Sequence, residues 1–397
     1  MPLAVSNRAA LRYLQETNFG VIAASGPNTA IRFTGEGINF GINKDRSKEI
    51  RSDRSVADLF SVAADVNGPA RFELSYREYD AWLEAVFQGT WGVYGTAGIG
   101  TAFSGTFTST TITAGAAPTG SSAFTTLAKG QWFRLNAPAQ PDDGKWFMVS
   151  RSVAPTSTVL TVDTLTPLAG TGSGIAGCTL ATSRLTNGTT QRSFTIERQL
   201  LDVGQYFAYR GCVFNKLSLS FKAGAAVGGS FDVMGKDALR NTATNLPGGT
   251  TASQTYDVMN SVNNVGNIYE GGAALANTFV QSLDLMIDNN LRGQKAIGTL
   301  GNAGIASGTQ VVTGKVQIYL ADGTLYDKFI NNTASSLTVR VADGSGNGYA
   351  VTLPKTRYTN VSIAAGSIDT DVMLSADVQA VVDPTTSQVI FLDRFGA

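Results

Sequence analysis

The side chains that could carry acid–base or nucleophilic chemistry in this chain are few and poorly placed for it. No histidine occurs among the 397 residues, which removes the group most used for proton transfer near neutral pH and the commonest metal ligand. Cys178 and Cys212 are the only cysteines. They lack the further ligands a thiolate metal site needs, and both are expected to be reduced, buried and inert. No pair of carboxylates is recognisable as a hydrolytic pair, so a hydrolase has no residues to run on.

Three short runs match ligand-binding motifs in their letters and fail on mechanism. Gly172-Ser173-Gly174-Ile175-Ala176-Gly177 has the spacing of a dinucleotide fingerprint, but Cys178-Thr179-Leu180-Ala181-Thr182 is no start for the helix that must meet the pyrophosphate; a flexible loop is expected instead. Met234-Gly235-Lys236-Asp237 resembles the end of a phosphate-binding loop, yet Ser230 stands where the first glycine belongs and Asp237 where a metal-binding hydroxyl is required. A turn after a strand is expected there. Asp343, Ser345, Asn347 and Gly348 fit the first half of a calcium loop, but its last position is Pro354 rather than a bidentate carboxylate, so the segment is read as a hairpin turn. No cofactor and no metal are expected.

Composition points the same way. Charged residues make up 15% of the chain, against about 25% in ordinary globular proteins, and Lys plus Arg equals Asp plus Glu at 30 each. With no global field to attract a polyanion or an anionic membrane, tight DNA binding is disfavoured. No run reaches the roughly 18 apolar residues of a membrane span. The polar start, Ser6-Asn7-Arg8, gives no apolar core for a secretion signal, so no membrane insertion is expected.

The elements are mostly strands. Residues 8–16 could form a short helix, and 19–28 read as an arm with no periodicity, set to order against a neighbour. Ile31 to Asn43 is extended, with Ile38, Phe40 and Ile42 on one face. Ala70 to Arg77 alternates, placing Phe72, Leu74 and Tyr76 inward. Trp82, Leu83, Val86 and Phe87 at three- and four-residue spacing predict a helix over 79–88, stopped by Gly89. From about Gly95 to Ser183 the composition turns to Gly, Ser, Thr and Ala, with short strands around Trp132, Trp146 and Val159 to Asp163 and glycine-rich edges (115–122, 170–177) that read as hinges or exposed hairpins. Alternating strands resume at Leu217–Phe221, Leu283–Ile287 and Val316–Leu320. A helical turn follows at 325–330, then a hairpin across Asp343–Gly348 and a last strand near Val389–Leu392. This divides the chain into 1–94, an inserted small β domain at 95–184, and 185–397.

The segment from Lys44 to Asp58 carries alternating charges and is far longer than a hairpin of about 2 to 5 loop residues needs. Contact between subunits is favoured over a merely solvated loop. The order and spacing of several blocks carry a family resemblance. They are Tyr13-Leu14-Gln15-Glu16-Thr17-Asn18-Phe19-Gly20, Ile50-Arg51-Ser52-Asp53-Arg54, Asp80-Ala81-Trp82-Leu83-Glu84, Arg184-Leu185-Thr186-Asn187-Gly188, Ser193–Arg198 and Tyr206–Gly211, with Asn347-Gly348-Tyr349 and Leu353-Pro354 further on. Together they resemble the tail tube proteins of bacteriophages with long, non-contractile tails.

The resemblance implies a mainly β fold, a β-sandwich or half-barrel with one packed α-helix, plus the inserted small β domain on the outer surface. It further implies hexameric rings stacked into a hollow tube, with no catalysis. Tape measure, tail terminator and distal tail proteins would be partners, and double-stranded DNA would pass without specific binding. The protein would reside in the virion tail after assembly in the host cytoplasm. On this reading Arg46, Lys48, Glu49, Arg51, Asp53 and Arg54 pair with the ring above or below, and the arm with Phe19, Gly20 and Asn28 bridges subunits. Asp284 and Asp288, on one face of a strand, line the lumen or are simply part of a solvated sheet. A second reading is a virion decoration or receptor- and glycan-binding module, with Trp132 and Trp146 touching sugars.

Overall fold

A computed structural model describes residues 3–138, 140–261, 265–274 and 279–396. Strand β1 (Ala9–Gln15) is followed by a long hairpin of β2 (Asn39–Arg46) and β3 (Leu59–Glu73), then by helix α1 (Asp80–Phe87). After a second unit come β4 (Phe194–Leu200), β5 (Gln205–Lys222) and β6 (Gly228–Gly235). The last third supplies β7 (Val280–Asp288), β8 (Val311–Tyr319), helix α2 (Thr324–Ile330), β9 (Ser335–Ala342), β10 (Gly348–Ala364), β11 (Met373–Ala380) and β12 (Phe391–Phe395). The fold is mainly β.

The main sheet runs β2-β3-β6-β5-β7-β8-β11-β10, every neighbour antiparallel. Two strands are long enough to leave it. The first half of β5 pairs with β4, which pairs with β1, and the first half of β10 pairs with β9 and β12. Register shifts at Phe214/Lys216 and Tyr358/Asn360 mark the bends, since an extra residue on one strand kinks it and tightens its twist. The sheet therefore curls into a half-barrel around one core. Trp82 of α1 is buried in that core against Phe214 and Phe231, ring centres 4.9 and 5.3 Å away.

The helix ends differently from its sequence expectation. Gln88, not Gly89, takes the left-handed conformation, with φ at 52°. Gly89 is needed for space, because a Cβ there would lie 2.1 Å from the Thr186 carbonyl oxygen. Residues 8–16, expected as a helix, instead contain β1. Leu11 and Tyr13 face inward in alternation, and the strand is hydrogen-bonded to β4 on one side and Asn28–Ile31 on the other. Two flanking strands outweigh a weak helical preference.

Residues 103–181 form a separate six-stranded sheet over its own core of Phe107, Phe124, Phe133, Leu135 and Leu160 among others. Its glycine-rich run is no loop: Gly172–Ala181 is a strand, paired with Phe103–Phe107 through two register shifts and with Trp132–Asn136. Nor does the unit hang on hinges. Arg184 makes two bonds to the fully buried Asp393 of β12, at 2.6 and 2.7 Å, and Trp132 donates its backbone N–H to the same carboxylate. Burial pushes the Asp393 carboxyl up, and the Arg184 guanidinium opposes that. Arg340 of β9 lies within 4.9, 5.1 and 5.5 Å of the Trp132, Tyr269 and Trp146 ring centres. Gly348 is another close approach, where a Cβ would meet the Trp146 ring at 2.3 Å.

Candidate assembly surfaces

Among the described residues no group of three or more acidic or sulfur side chains could hold a metal ion. Cys178 and Cys212 are free thiols inside the cores, and burial pushes the thiol of Cys212 up. The Asp343 segment is the expected turn: its carboxylate accepts from the N–H groups of Ser345 and Asn347, both at 2.9 Å, which leaves it filled by its own chain. Met234–Asp237 is not the expected turn: Gly235 ends β6, Lys236 is a single bend, and Asp237 opens a further strand, Asp237–Asn241, that continues along β5. The surfaces that remain unexplained within one chain are a ribbon, a polar sheet face and the far ends of the sheet strands.

The ribbon is the outer part of the β2–β3 hairpin. Strand β3 pairs with β6 only over Val66–Glu73 but with β2 over Leu59–Asn67. At about 3.3 Å per residue, residues 59–65 carry the two strands roughly 20 Å past the end of β6, and the outer part, 59–62, stands clear of the body. The charged segment expected as a long loop is thus shortened to 47–58, its ends drawn into strands. Loop residues brace the root: Lys295 bonds Asp65 at 2.6 Å, and Ala64 N–H donates to the Leu300 carbonyl at 2.8 Å.

Ala64 and Val66 are buried, and the same face continues outward as exposed Ile42 and, past the register shift at Asn43/Lys44, exposed Leu59 level with Arg46; Phe60, level with Asp45, faces the other way. The core side of the sheet therefore runs on past the core. At the tip Arg51 pairs bidentately with Asp53 at 3.0 and 2.8 Å and holds that carboxyl at about 2. Arg46, Lys48, Glu49 and Arg54 are exposed and form no ion pair among the described residues.

The polar face belongs to the middle of the main sheet. Asp284 accepts from Ser220 at 2.5 Å and Asp288 pairs with Lys216 at 2.8 Å. Across the strands Asp284 is level with Lys315, and Lys315 with Asp377; Asp232 is level with Lys216. The face holding the two candidates is therefore charge-mixed, not an acidic lining.

A family model described as phage tail tube protein matches residues 6–380. The chain belongs to the phage tail tube protein family. Comparison with curated proteins gave no match. Membership makes this a structural component of a virion tail.

In this tail tube protein the expected arm is seated largely on its own chain. Gly20 is buried and donates its N–H to Glu16 at 2.7 Å. Phe19 packs beside Val213, Leu291 and Ile305. Asn28 is buried and bonds the Pro247 carbonyl at 3.1 Å. The stretch between them that faces solvent is 21–27.

The apolar ends of the strands were missed in the sequence. Where β8 stops and β11 begins, Phe279, Tyr319, Leu320, Ile363, Ile368 and Val372 are exposed together. They are held by Tyr319 N–H to the Phe279 carbonyl (3.1 Å), Leu320 N–H to the Val372 carbonyl (3.0 Å), and the pairing of Ile363 with Leu374. Alternation alone places Ile363 and Leu320 inward. The register shows that Leu320 lies beyond the last buried row, and that Ile363, level with buried Leu374 and Ile318, is exposed because it stands on the open border of the sheet.

Proposed function

We propose that copies of this protein close head to tail into rings, six per ring as the family resemblance implies, and that rings stack into the hollow tube through which DNA leaves the particle. The observation that carries this is the pair of open borders of the main sheet. Among the described residues β2 is hydrogen-bonded on one side only, and so are residues 359–364 of β10. The eight strands between and including these borders alternate in direction. A second copy, turned about an axis along the strands, would bring its β2 antiparallel to β10 of the first. Open edges invite pairing, and a head-to-tail interface that closes makes a ring.

The charge-mixed face suits a lumen. A polyanion is retained in proportion to the phosphates that cations neutralise, because each contact releases counterions. Here cations such as Lys216 and Lys315 already stand beside Asp288 and Asp284, so fewer are free to grip DNA. The ribbon charges Arg46, Lys48, Glu49, Arg51, Asp53 and Arg54 are assigned to contact between rings, and residues 21–27 are what the arm has left to offer a neighbour. The six-stranded unit stands on the outer wall. Tape measure, terminator and distal tail proteins are the further partners of a tube assembled in the host cytoplasm for a long non-contractile tail, with no catalytic step and no cofactor.

A glycan-binding role loses its intended carriers. Trp132 is fully buried, and Trp146 stacks edge-on to Phe395 with ring centres 4.0 Å apart. Negative-stain electron microscopy of concentrated protein tests the tube: long hollow cylinders are expected, and persistent monomers or compact trimers would overturn it.

A further inference from the structure

The ribbon leaves the sheet at one end of the strands, beyond Val66 of β3 and Gly235 of β6. The apolar rim of Phe279, Tyr319, Leu320, Ile363, Ile368 and Val372 lies at the other end, beyond Glu73, Asp284, Lys315 and Asp377 in register. Apolar side chains are thus uncovered at both ends of the same sheet, on its core face at the ribbon and on both faces at the rim, where Tyr319 shares the side of Lys315. An isolated two-stranded ribbon is at best marginally stable in water, so one whose exposed residues 59–62 reach roughly 13 Å past the body calls for a partner.

The two ends also differ in charge. The ribbon carries Lys44, Arg46, Lys48, Arg51 and Arg54 against Asp45, Glu49, Asp53 and Asp58, a balance of 5 − 4 = +1. The loops bordering the rim (320–323 and 364–372) hold Asp322, Asp369 and Asp371, with no lysine or arginine. All three aspartates are exposed.

We propose that the rim formed by Phe279, Tyr319, Leu320, Ile363, Ile368 and Val372, with Asp322, Asp369 and Asp371 around it, is the socket for the β2–β3 ribbon of a second copy in the adjoining ring. Exposed Ile42 and Leu59, on the core-side face of the ribbon, cover the rim, and the cations of the tip meet the three aspartates. A contact between unlike ends of one molecule repeats without closing and generates a stack. This rests on the tube reading and adds its receiving surface.

The test is charge reversal at the socket, Asp322→Lys with Asp369→Lys and Asp371→Lys, read by electron microscopy and sedimentation. The sites are exposed, so the melting transition should stay in place while tubes are lost. Adding Lys48→Glu, Arg51→Glu and Arg54→Glu in the same chain should restore them. Normal tubes from the socket variant would overturn the docking and leave the tube intact, whereas wild-type protein that never assembles would sink the tube reading itself.

A covalent check does not depend on the lysines being tolerated. Ile50→Cys combined with Ile368→Cys, oxidised within assembled tubes, should give a ladder of linked chains on a non-reducing denaturing gel. The native Cys178 and Cys212 are buried and contribute no background. A single band at monomer mass would refute the contact.

Discussion

The junction between the six-stranded unit and the half-barrel differs from the ribbon in how its charged and aromatic groups are satisfied. At the junction Asp393 is 0% exposed and bonded to Arg184 and the Trp132 backbone, and Arg340 is enclosed by three rings. On the ribbon, Ile50 and Phe60 stand in water, and most of the charges form no ion pair among the described residues. Asp393 and Arg184 are satisfied within one molecule, although the Trp132 indole N–H and the Arg340 Nε are buried without a hydrogen-bond partner among the described residues. On the proposed reading the ribbon is completed by a second copy, so the first region should bear on folding and the second on assembly.

That contrast is most easily broken at Asp393. Asp393→Ala leaves the Arg184 guanidinium buried without its carboxylate, and stability should fall by about 3–5 kcal/mol, as when one member of a buried pair is removed. Urea denaturation followed by tryptophan fluorescence would measure it, and a loss under about 1 kcal/mol would mean that the junction does not hold the fold.

Arg340→Met comes next. Burial lowers the pKa of Arg340, so the charge is held at a cost that the cation–π contacts offset. Replacing it with an apolar side chain of similar length should cost less than about 2 kcal/mol while shifting the emission of Trp132 and Trp146. A larger loss would show that the guanidinium, not its stem, locks the two units together.

The ribbon is expected to behave in the opposite way. Arg51→Glu with Arg54→Glu should change monomer stability by no more than about 0.5 kcal/mol and yet abolish tubes by electron microscopy. Normal tubes from this variant would remove the inter-ring assignment.

The smallest effect concerns Asp53. Its depressed pKa, due first to Arg51, means that whatever the pair contributes is present above the unfolded carboxylate value near 4 and is lost as pH falls toward about 2. Asp53 is fully solvated, so Asp53→Asn and wild type should show the same melting temperature across pH 5–8 by scanning calorimetry. A gap between the two curves would show that the tip pair is part of the fold.

Much of this was readable from residue order. The alternation of Phe72, Leu74 and Tyr76, the spacing of Trp82, Leu83, Val86 and Phe87, and the turn chemistry of Asp343–Asn347 each follow from local rules that tertiary contacts did not contradict. An arm without periodicity reads as a free one, whereas Phe19, Gly20 and Asn28 are seated on their own chain. Their seating depends on Pro247, Gly211 and Ile305, which are remote in sequence.

By itself the sequence determined the inward face of several strands, such as Phe72, Leu74 and Tyr76 or Leu283, Leu285 and Ile287, that no histidine-based chemistry is available, and that charge is sparse and balanced. It could not decide whether residues 9–15 become helix or strand, or that Gln88 rather than Gly89 turns left-handed. Nor could it show that Ile42, Leu59, Leu320 and Ile363 would be left uncovered. Alternation is a property of one strand, whereas flanking partners and the point where burial ends are properties of register between strands. Register is set by contacts between residues far apart in the chain, so the surfaces left for another copy emerge only from the folded sheet.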